Sequence, residues 1–228
     1  MKLPRGIITN WLSAMALAAF VMTWAMGQIE YAALVGGFIP ARLTDPSVFA
    51  HAMGPVAVPA LLTPLTATLI HGGWMHIGFN LLMLLFCGRH VEHVLGPKLM
   101  LLLYGAGAYA AAAAEWALDP SSMSPMVGAS GAISALLGTY ALMYSHQKVR
   151  PIGPFSANVV RIAWLAVGWT AIQLMIGLAT AGGTDDLGEG IGQIAIGAHI
   201  GGFIAGLLLT RPILHLRFRK GPVGLKKF

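Results

Sequence analysis

The amino-acid sequence predicts an all-α polytopic membrane protein, a bundle of six transmembrane helices. Hydrophobic residues make up 57% of the chain and charged residues only 10%, whereas charged residues form about 25% of an ordinary soluble domain. An apolar run of about 20 residues is needed to cross the hydrocarbon core of a bilayer. Six such runs occur, at residues 9–27, 75–95, 98–117, 128–146, 159–180 and 193–214.

The distribution of charge predicts the orientation of these spans. If successive helices alternate in direction, every lysine and arginine except Arg42 falls on one side, and every acidic residue except Glu92 falls on the other. Basic residues concentrate on the cytoplasmic side of membrane proteins, so both termini are expected in the cytoplasm. We expect an inner (cell) membrane of bacterial type, or an organellar inner membrane. The excess of basic residues then favours contact with anionic lipid headgroups over nucleic acid.

The segments around the spans predict one membrane domain over residues 1–228. MKLPRG begins the first span rather than a cleavable signal peptide, because no polar mature domain follows it. Residues 28–74 are apolar but contain five prolines, so we expect this connection to lie in the outer interface. The core of the domain is expected at about 60–214, followed by a basic cytoplasmic tail at 215–228.

Polar residues recur near the outer ends of three alternate spans. Spans two, four and six all run inward, so their first turns lie at one depth. His76 and Asn80 lie in HIGFN, Ser130 lies in GASGA and His199 lies in GAHIGG. Since polar side chains within spans normally face a bundle interior or a wet cavity, we expect these residues to line one cavity.

Small residues share a helix face with two of these candidates. On a helix, residues three or four apart are neighbours on one face. The small residues are Ser134 and Gly138 after Ser130, and Gly202 and Gly206 after His199. Stripes of small side chains let helix backbones approach closely. The short serine side chain can reach an imidazole on another helix only if the two backbones are this close.

A serine and a histidine at this spacing favour nucleophilic chemistry. A serine hydroxyl is a poor nucleophile until a base such as histidine removes its proton. No carboxylate lies in the apolar body of the outer half of any span, so the sequence supports a Ser130/His199 dyad rather than a triad. The backbone N–H of Ser130 at a helix start, with side-chain donors from Asn80 and His76, would stabilise a developing oxyanion.

Three motifs in this order resemble the rhomboid intramembrane serine proteases. They are HGGWMHIGFN at 71–80, GASGAISALLG at 128–138 and GAHIGGFIAG at 197–206, and the resemblance covers roughly 60–210. It implies a six-helix rhomboid-like bundle, with Ser130 as nucleophile and His199 as general base. The substrates implied are membrane proteins with a transmembrane helix, cut near or just within its outer end.

The resemblance also implies roles for residues around this dyad. Asn80, His76 and the Ser130 backbone would form the oxyanion hole, and His71 would be structural rather than chemical. Gly128, Gly202 and Gly206 would be structural residues near the site. The fifth span, with Trp164 and Trp169, would match the element that admits substrate laterally.

Two positions depart from the family pattern. Many rhomboids carry an aromatic residue four after the nucleophile, stacked on the catalytic histidine, and here that position is Ser134. Many also carry a Trp-Arg pair in the first loop, whereas residues 28–73 contain no tryptophan. Without the stack, either His199 is held less firmly or another aromatic residue substitutes. The missing tryptophan bears on substrate handling and loop stability more than on the chemistry.

Three alternatives stay open at this point. The main one is an inactive rhomboid-like protein that binds transmembrane helices, although inactive relatives usually lose a residue equivalent to Gly128, Ser130 or His199. A transporter or channel would need paired intramembrane charges or broken helices, which are not evident. A metalloprotease would need a motif such as HExxH, and the lone Cys87 offers no cysteine-based metal site. We expect neither a metal nor a cofactor.

Overall fold

The computed structural model describes residues 3–47, 58–144, 149–181 and 195–219, with side chains for all of these except 172–181. Within these ranges all regular secondary structure is helical, apart from two isolated bridges, Phe38 with Met126 and Ile152 with Phe155. The predicted all-α class is therefore confirmed.

The helices are numbered here in chain order. They are α1 (Ile7–Ala25), α2 (Ile29–Gly36), α3 (Ala41–Thr44), α4 (Thr63–Thr66), α5 (Trp74–Leu95), α6 (Pro97–Leu118), α7 (Ser130–Tyr144), α8 (Ala157–Ala181) and α9 (Ile196–Phe218). A π-helical turn, Leu84–Gly88, lies inside α5. Gly96, with φ of 80°, ends α5, and Pro97 begins α6 at once. This pair makes a tight reversal because glycine accepts positive φ and proline suits the first helical position.

Each predicted span overlaps one of the long helices α1, α5, α6, α7, α8 and α9. By length and hydropathy α1, α6 and α9 are each long and apolar enough to cross a membrane. A fourth candidate is α5 together with Ala60–Leu69, which meet at a bend of 90°. The apolar helices are those of an integral membrane protein. The count of six spans and the cytoplasmic termini stay predictions, and most of the predicted tail lies outside the described residues.

The described parts of the connection between α1 and α5 contain short helices that are held by hydrogen bonds to backbone carbonyls. Arg42 is buried and donates to the carbonyl oxygens of Val35 (3.3 Å) and Val58 (2.6 Å). Burial lowers the pKa of this guanidinium from its ordinary value. The Thr66 hydroxyl donates to the carbonyl of Gly36 at 2.6 Å. These contacts order the connection without a tryptophan, while its place in the outer interface stays a prediction.

Helix α9 lies between α6 and α7 at backbone contact distance. A methyl group built on Gly202 would lie 2.1 Å from the carbonyl oxygen of Gly131, and one on Gly206 would lie 2.1 Å from that of Ala135. On the opposite side, a methyl group on Gly201 would lie 2.3 Å from the Ala114 side chain. Only glycine fits at these positions, so the small stripe of α9 sets the spacing of the three helices.

The core and the lipid-facing surface follow from this packing. Residues from α5, α6, α7 and α9 form the largest buried cluster, which includes Leu84, Cys87, Met100, Leu136 and Ile213. Many large apolar side chains are exposed elsewhere on the helices, such as Trp11, Leu82 and Trp164. Exposed apolar residues on this scale suit a protein whose solvent is the bilayer.

Glu92 is the one acidic residue that the charge pattern leaves on the predicted cytoplasmic side, and it is buried rather than solvated. Its carboxylate accepts hydrogen bonds from the backbone N–H groups of Ile8 (3.0 Å) and Thr9 (2.8 Å) and from the Thr9 hydroxyl (2.7 Å). The first turn of a helix has backbone N–H groups without intrahelical partners. Glu92 of α5 therefore caps the start of α1, which has no side-chain cap of its own.

We expect Glu92→Ala to lower the unfolding free energy by about 2 to 3 kcal/mol, because two buried donors and one part-buried donor lose a charged acceptor. Thermal unfolding of the purified protein in mild detergent measures the change. Glu30→Ala removes an exposed acidic residue from the first turn of α2 and is the matched control. Equal thermal stability of the two variants would contradict the capping role of Glu92.

We expect Gly202→Ala to force α7 and α9 apart and to lower the unfolding free energy by about 1 to 3 kcal/mol. The added methyl group would meet the backbone of Gly131, which cannot move aside as a flexible side chain does. Gly105→Ala on α6 is the matched control, because an added methyl group there has nothing within 4 Å. The same unfolding assay should show that Gly105→Ala is neutral or slightly stabilising. A neutral Gly202→Ala would argue against backbone contact.

Candidate active site

Ser130 and His199 lie next to each other although 69 residues separate them in the chain. Ser130 is the first residue of α7, and His199 lies in the first turn of α9. The Nε2 atom of His199 is 2.7 Å from the Oγ atom of Ser130, which is hydrogen-bonding distance. In the tautomer with Nε2 unprotonated, the serine hydroxyl donates to the imidazole. The close packing of α7 and α9 therefore brings a hydroxyl and a base together.

The loop before α7 presents Ser130 through an unusual backbone conformation. Gly128 has φ of 106°, in the region that favours glycine, and its N–H donates to the carbonyl of Ala67 at 2.9 Å. A methyl group on Gly128 would lie 2.5 Å from Nε2 of His76. Both the positive φ and the lack of room for a side chain beside His76 thus require glycine at position 128. Because Ser130 begins the helix, its backbone N–H has no partner within α7.

His76 and Asn80 lie one turn apart on α5, beside this loop. The imidazole of His76 is packed against Gly128, and its Nδ1 lies 3.4 Å from the backbone nitrogen of Gly72. Asn80 is 7% exposed, and its amide nitrogen donates to the carbonyl of His76 at 2.8 Å. An amide NH₂ group has two hydrogens, so this bond leaves one of them for a further acceptor.

His71 lies directly behind His76. It is fully buried, and the two rings meet edge to face with centroids 5.1 Å apart. Within the described part of the chain, neither ring nitrogen of His71 has a hydrogen-bond partner in the structure. His71 therefore packs against the His76 ring, and His76 in turn packs against Gly128, two residues before Ser130.

The residue four after Ser130 is a serine, which has no aromatic ring to stack on His199. The Ser134 hydroxyl donates instead to the carbonyl of Ser130 at 2.8 Å, within α7. An aromatic residue from α8 supports His199 differently. The indole N–H of Trp169 donates to the carbonyl of His199 at 3.2 Å, and its ring stacks on Phe203 with centroids 5.0 Å apart. Trp164, in contrast, is 67% exposed on α8.

Sequence reasoning missed one residue at this site, Glu115. Its carboxylate lies near the end of α6 and accepts a hydrogen bond from the backbone N–H of Ala198 at 3.1 Å. Ala198 directly precedes His199. A lone acidic residue close to the outer end of an apolar helix was the available signal, because such residues are costly in a span.

The described residues contain no cluster of three or more histidine, cysteine or acidic residues that could hold a metal ion. The His71 and His76 rings meet edge to face, His76 Nδ1 lies near the backbone nitrogen of Gly72, and His199 Nε2 lies against Ser130 Oγ. The arrangement suits proton transfer between a hydroxyl and an imidazole.

Comparison with known proteins supports a family assignment. The family model of the Rhomboid domain matches residues 58–216, more than half of the chain. The chain is 34% identical over 157 residues to Rhomboid protease GluP of Bacillus subtilis (strain 168), which covers 67% of this chain and 26% of that protein. It is 31% identical over 146 residues to RHOMBOID-like protein 4 of Arabidopsis thaliana, which covers 64% of this chain and 32% of that protein.

The match thus spans about a quarter to a third of the length of these curated relatives. The family-model match includes all three polar motifs, at 71–80, 128–138 and 197–206, and all of the helices α5 to α9 except the last two residues of α9. The chain belongs to the rhomboid family of membrane proteins.

Proposed function

We propose that this protein is an intramembrane serine endopeptidase that hydrolyses a peptide bond in or near the transmembrane segment of a membrane-protein substrate. The observation that carries the proposal is the 2.7 Å contact between Ser130 Oγ and His199 Nε2 at the starts of two packed helices. Membership of the rhomboid family supports it, and so does the name of the relative from Bacillus subtilis, a rhomboid protease. An inactive rhomboid-like protein would have no need of this contact.

In the first half of the reaction, Ser130 attacks the carbonyl carbon of the scissile peptide bond. His199 Nε2 accepts the hydroxyl proton as the new C–O bond forms, and the carbonyl oxygen becomes an oxyanion. The protonated imidazole then gives this proton to the leaving amine nitrogen, and the C–N bond breaks. The products of this half are a free amine and an acyl ester on Ser130.

Water completes the cycle. His199 removes a proton from a water molecule while the water oxygen attacks the ester carbonyl. The protonated imidazole then gives this proton to Ser130 Oγ as the ester bond breaks. The second product is a carboxylic acid. Each half passes through an oxyanion, so donors placed at that oxygen accelerate both steps.

We assign the oxyanion hole to the backbone N–H of Ser130 and the side chains of His76 and Asn80. The Ser130 N–H lies at a helix start, where the dipole favours negative charge. His76 is packed against Gly128, two residues before the nucleophile, and Asn80 lies one turn further along α5. His71, behind His76, keeps a structural role in this proposal, as do Gly128, Gly202 and Gly206.

Substrate would approach from the lipid side at α8. One part of the described α8 surface is exposed, with Trp164 at 67% and Val167 at 63%. Helix α8 bounds the site through Trp169, which is bonded to His199. The partners are then transmembrane-helix proteins within the bilayer, and the termini of this protein face the cytoplasm of a bacterial-type cell.

We expect Ser130→Ala and His199→Ala each to abolish covalent labelling by a fluorophosphonate probe, since the first removes the nucleophile and the second its base. The purified protein in mild detergent is treated with the probe, and the adduct is located by mass spectrometry. Ser134→Ala makes the same change one turn later on α7 and should leave labelling at Ser130 intact. Labelling that persists in His199→Ala at the wild-type rate would contradict the dyad.

We expect His76→Ala and Asn80→Ala each to lower kcat about 10²-fold to 10³-fold, the usual cost of one oxyanion donor. Cleavage of a single-pass membrane substrate in liposomes gives kcat and KM. Asn10→Ala, at the start of α1 where Asn10 bonds Arg89, is the matched control and should leave kcat unchanged. A change confined to KM would assign these residues to substrate binding instead.

A further inference from the structure

We propose that Glu115 is a positioning residue for the dyad, acting through the backbone of α9 rather than through the imidazole. This inference rests on the proposed protease function. The carboxylate of Glu115 accepts a hydrogen bond from the N–H of Ala198 at 3.1 Å, and Ala198 is bonded directly to His199. Glu115 therefore fixes the position of the residue next to the base.

The start of α9 needs an acceptor from elsewhere. Its N-cap residue, Ala195, makes no side-chain cap hydrogen bond, and its first turn contains no acidic residue. Ala198 is the third residue of the helix, and a capping side chain bonds the backbone N–H at this position in other helices. Glu115 supplies that acceptor from α6, and its negative charge lies at the positive end of the α9 dipole.

The surroundings of this hydrogen bond fit the same role. A methyl group on Gly197 would lie 2.8 Å from the carboxylate oxygen of Glu115 and 2.5 Å from the Leu118 side chain. Glycine at this position therefore lets the first turn of α9 lie directly against the carboxylate. A carboxylate within an apolar span is costly unless it is hydrogen-bonded, and the contact with Ala198 provides that compensation.

Glu115 and Trp169 hold the backbone of the histidine from two sides. Glu115 bonds the N–H group of Ala198, and Trp169 bonds the carbonyl of His199. The Ser130–His199 contact of 2.7 Å survives only small displacements, because hydrogen bonds weaken steeply with distance and angle. Fraying of the first turn of α9 would thus lengthen this contact even with both side chains present.

The test compares the rate of fluorophosphonate labelling at Ser130, per folded protein, in four proteins. Glu115→Ala removes the acceptor and should slow labelling about tenfold. Glu115→Gln keeps an acceptor oxygen and should restore most of the wild-type rate. Glu92→Ala removes a carboxylate that caps α1, far along the chain from the dyad, and should leave the rate unchanged. If labelling slows equally in Glu115→Ala and Glu92→Ala, Glu115 contributes only to general stability and the proposal is overturned.

Hydrogen–deuterium exchange separates this inference from the proposed function, because it needs no reactivity. In Glu115→Ala, amide exchange of a peptide covering residues 196–200 should be at least about tenfold faster, whereas Glu92→Ala should leave that peptide unchanged. Unchanged exchange in Glu115→Ala would overturn the positioning role even if Ser130 is reactive. If exchange is faster in Glu115→Ala but the probe does not label Ser130 in the wild-type protein, the capping role of Glu115 is supported and the proposed protease function is contradicted.

Discussion

The backbone contact between α7 and α9 is the constraint on which the rest of the site depends. A serine side chain is short, so a histidine on another helix can reach it only where the two helix axes are unusually close. Gly202 and Gly206 allow this approach, because any larger side chain would meet the carbonyl oxygens of Gly131 and Ala135. Deeper along the same pair, the Thr210 hydroxyl donates to the Thr139 hydroxyl at 3.0 Å. The glycine contacts near the dyad and the hydroxyl hydrogen bond further along the two helices together fix the register of α7 against α9.

Two hydrogen bonds to the backbone of α9 hold the segment that carries the His199 imidazole. In a serine–histidine–aspartate triad the acid holds the imidazole by its other nitrogen. Here Glu115 accepts a hydrogen bond from the N–H of Ala198, and Trp169 donates one to the carbonyl of His199. A helix held at these two backbone groups orients the side chain that it carries.

The sequence was sufficient for features that depend on local pattern. Apolar runs predicted the long helices, and the motifs around His76, Ser130 and His199 predicted which residues would be grouped, because helix periodicity and alternation of direction are simple rules. Helix caps supplied by a carboxylate on another helix were not predictable in this way. The charge pattern places Glu92 on the predicted cytoplasmic side, but it does not predict that its carboxylate bonds residues more than 80 positions earlier. Nothing in the residues around Glu92 indicates that α1 lacks a cap of its own.

Hydrolysis inside a membrane protein requires water at Ser130 but lipid at the substrate entrance, and the fold separates these two surfaces. Ser130 and His199 both lie in the first turns of their helices, close to the connection that contains Gly72, which is exposed. Helix α8, the proposed substrate entrance, carries exposed large apolar side chains such as Trp164. A dyad placed deeper along α7 and α9 would lie among the buried residues around Leu136, where water has no polar partners. The position of the dyad at the helix starts therefore follows from the reaction it is proposed to catalyse.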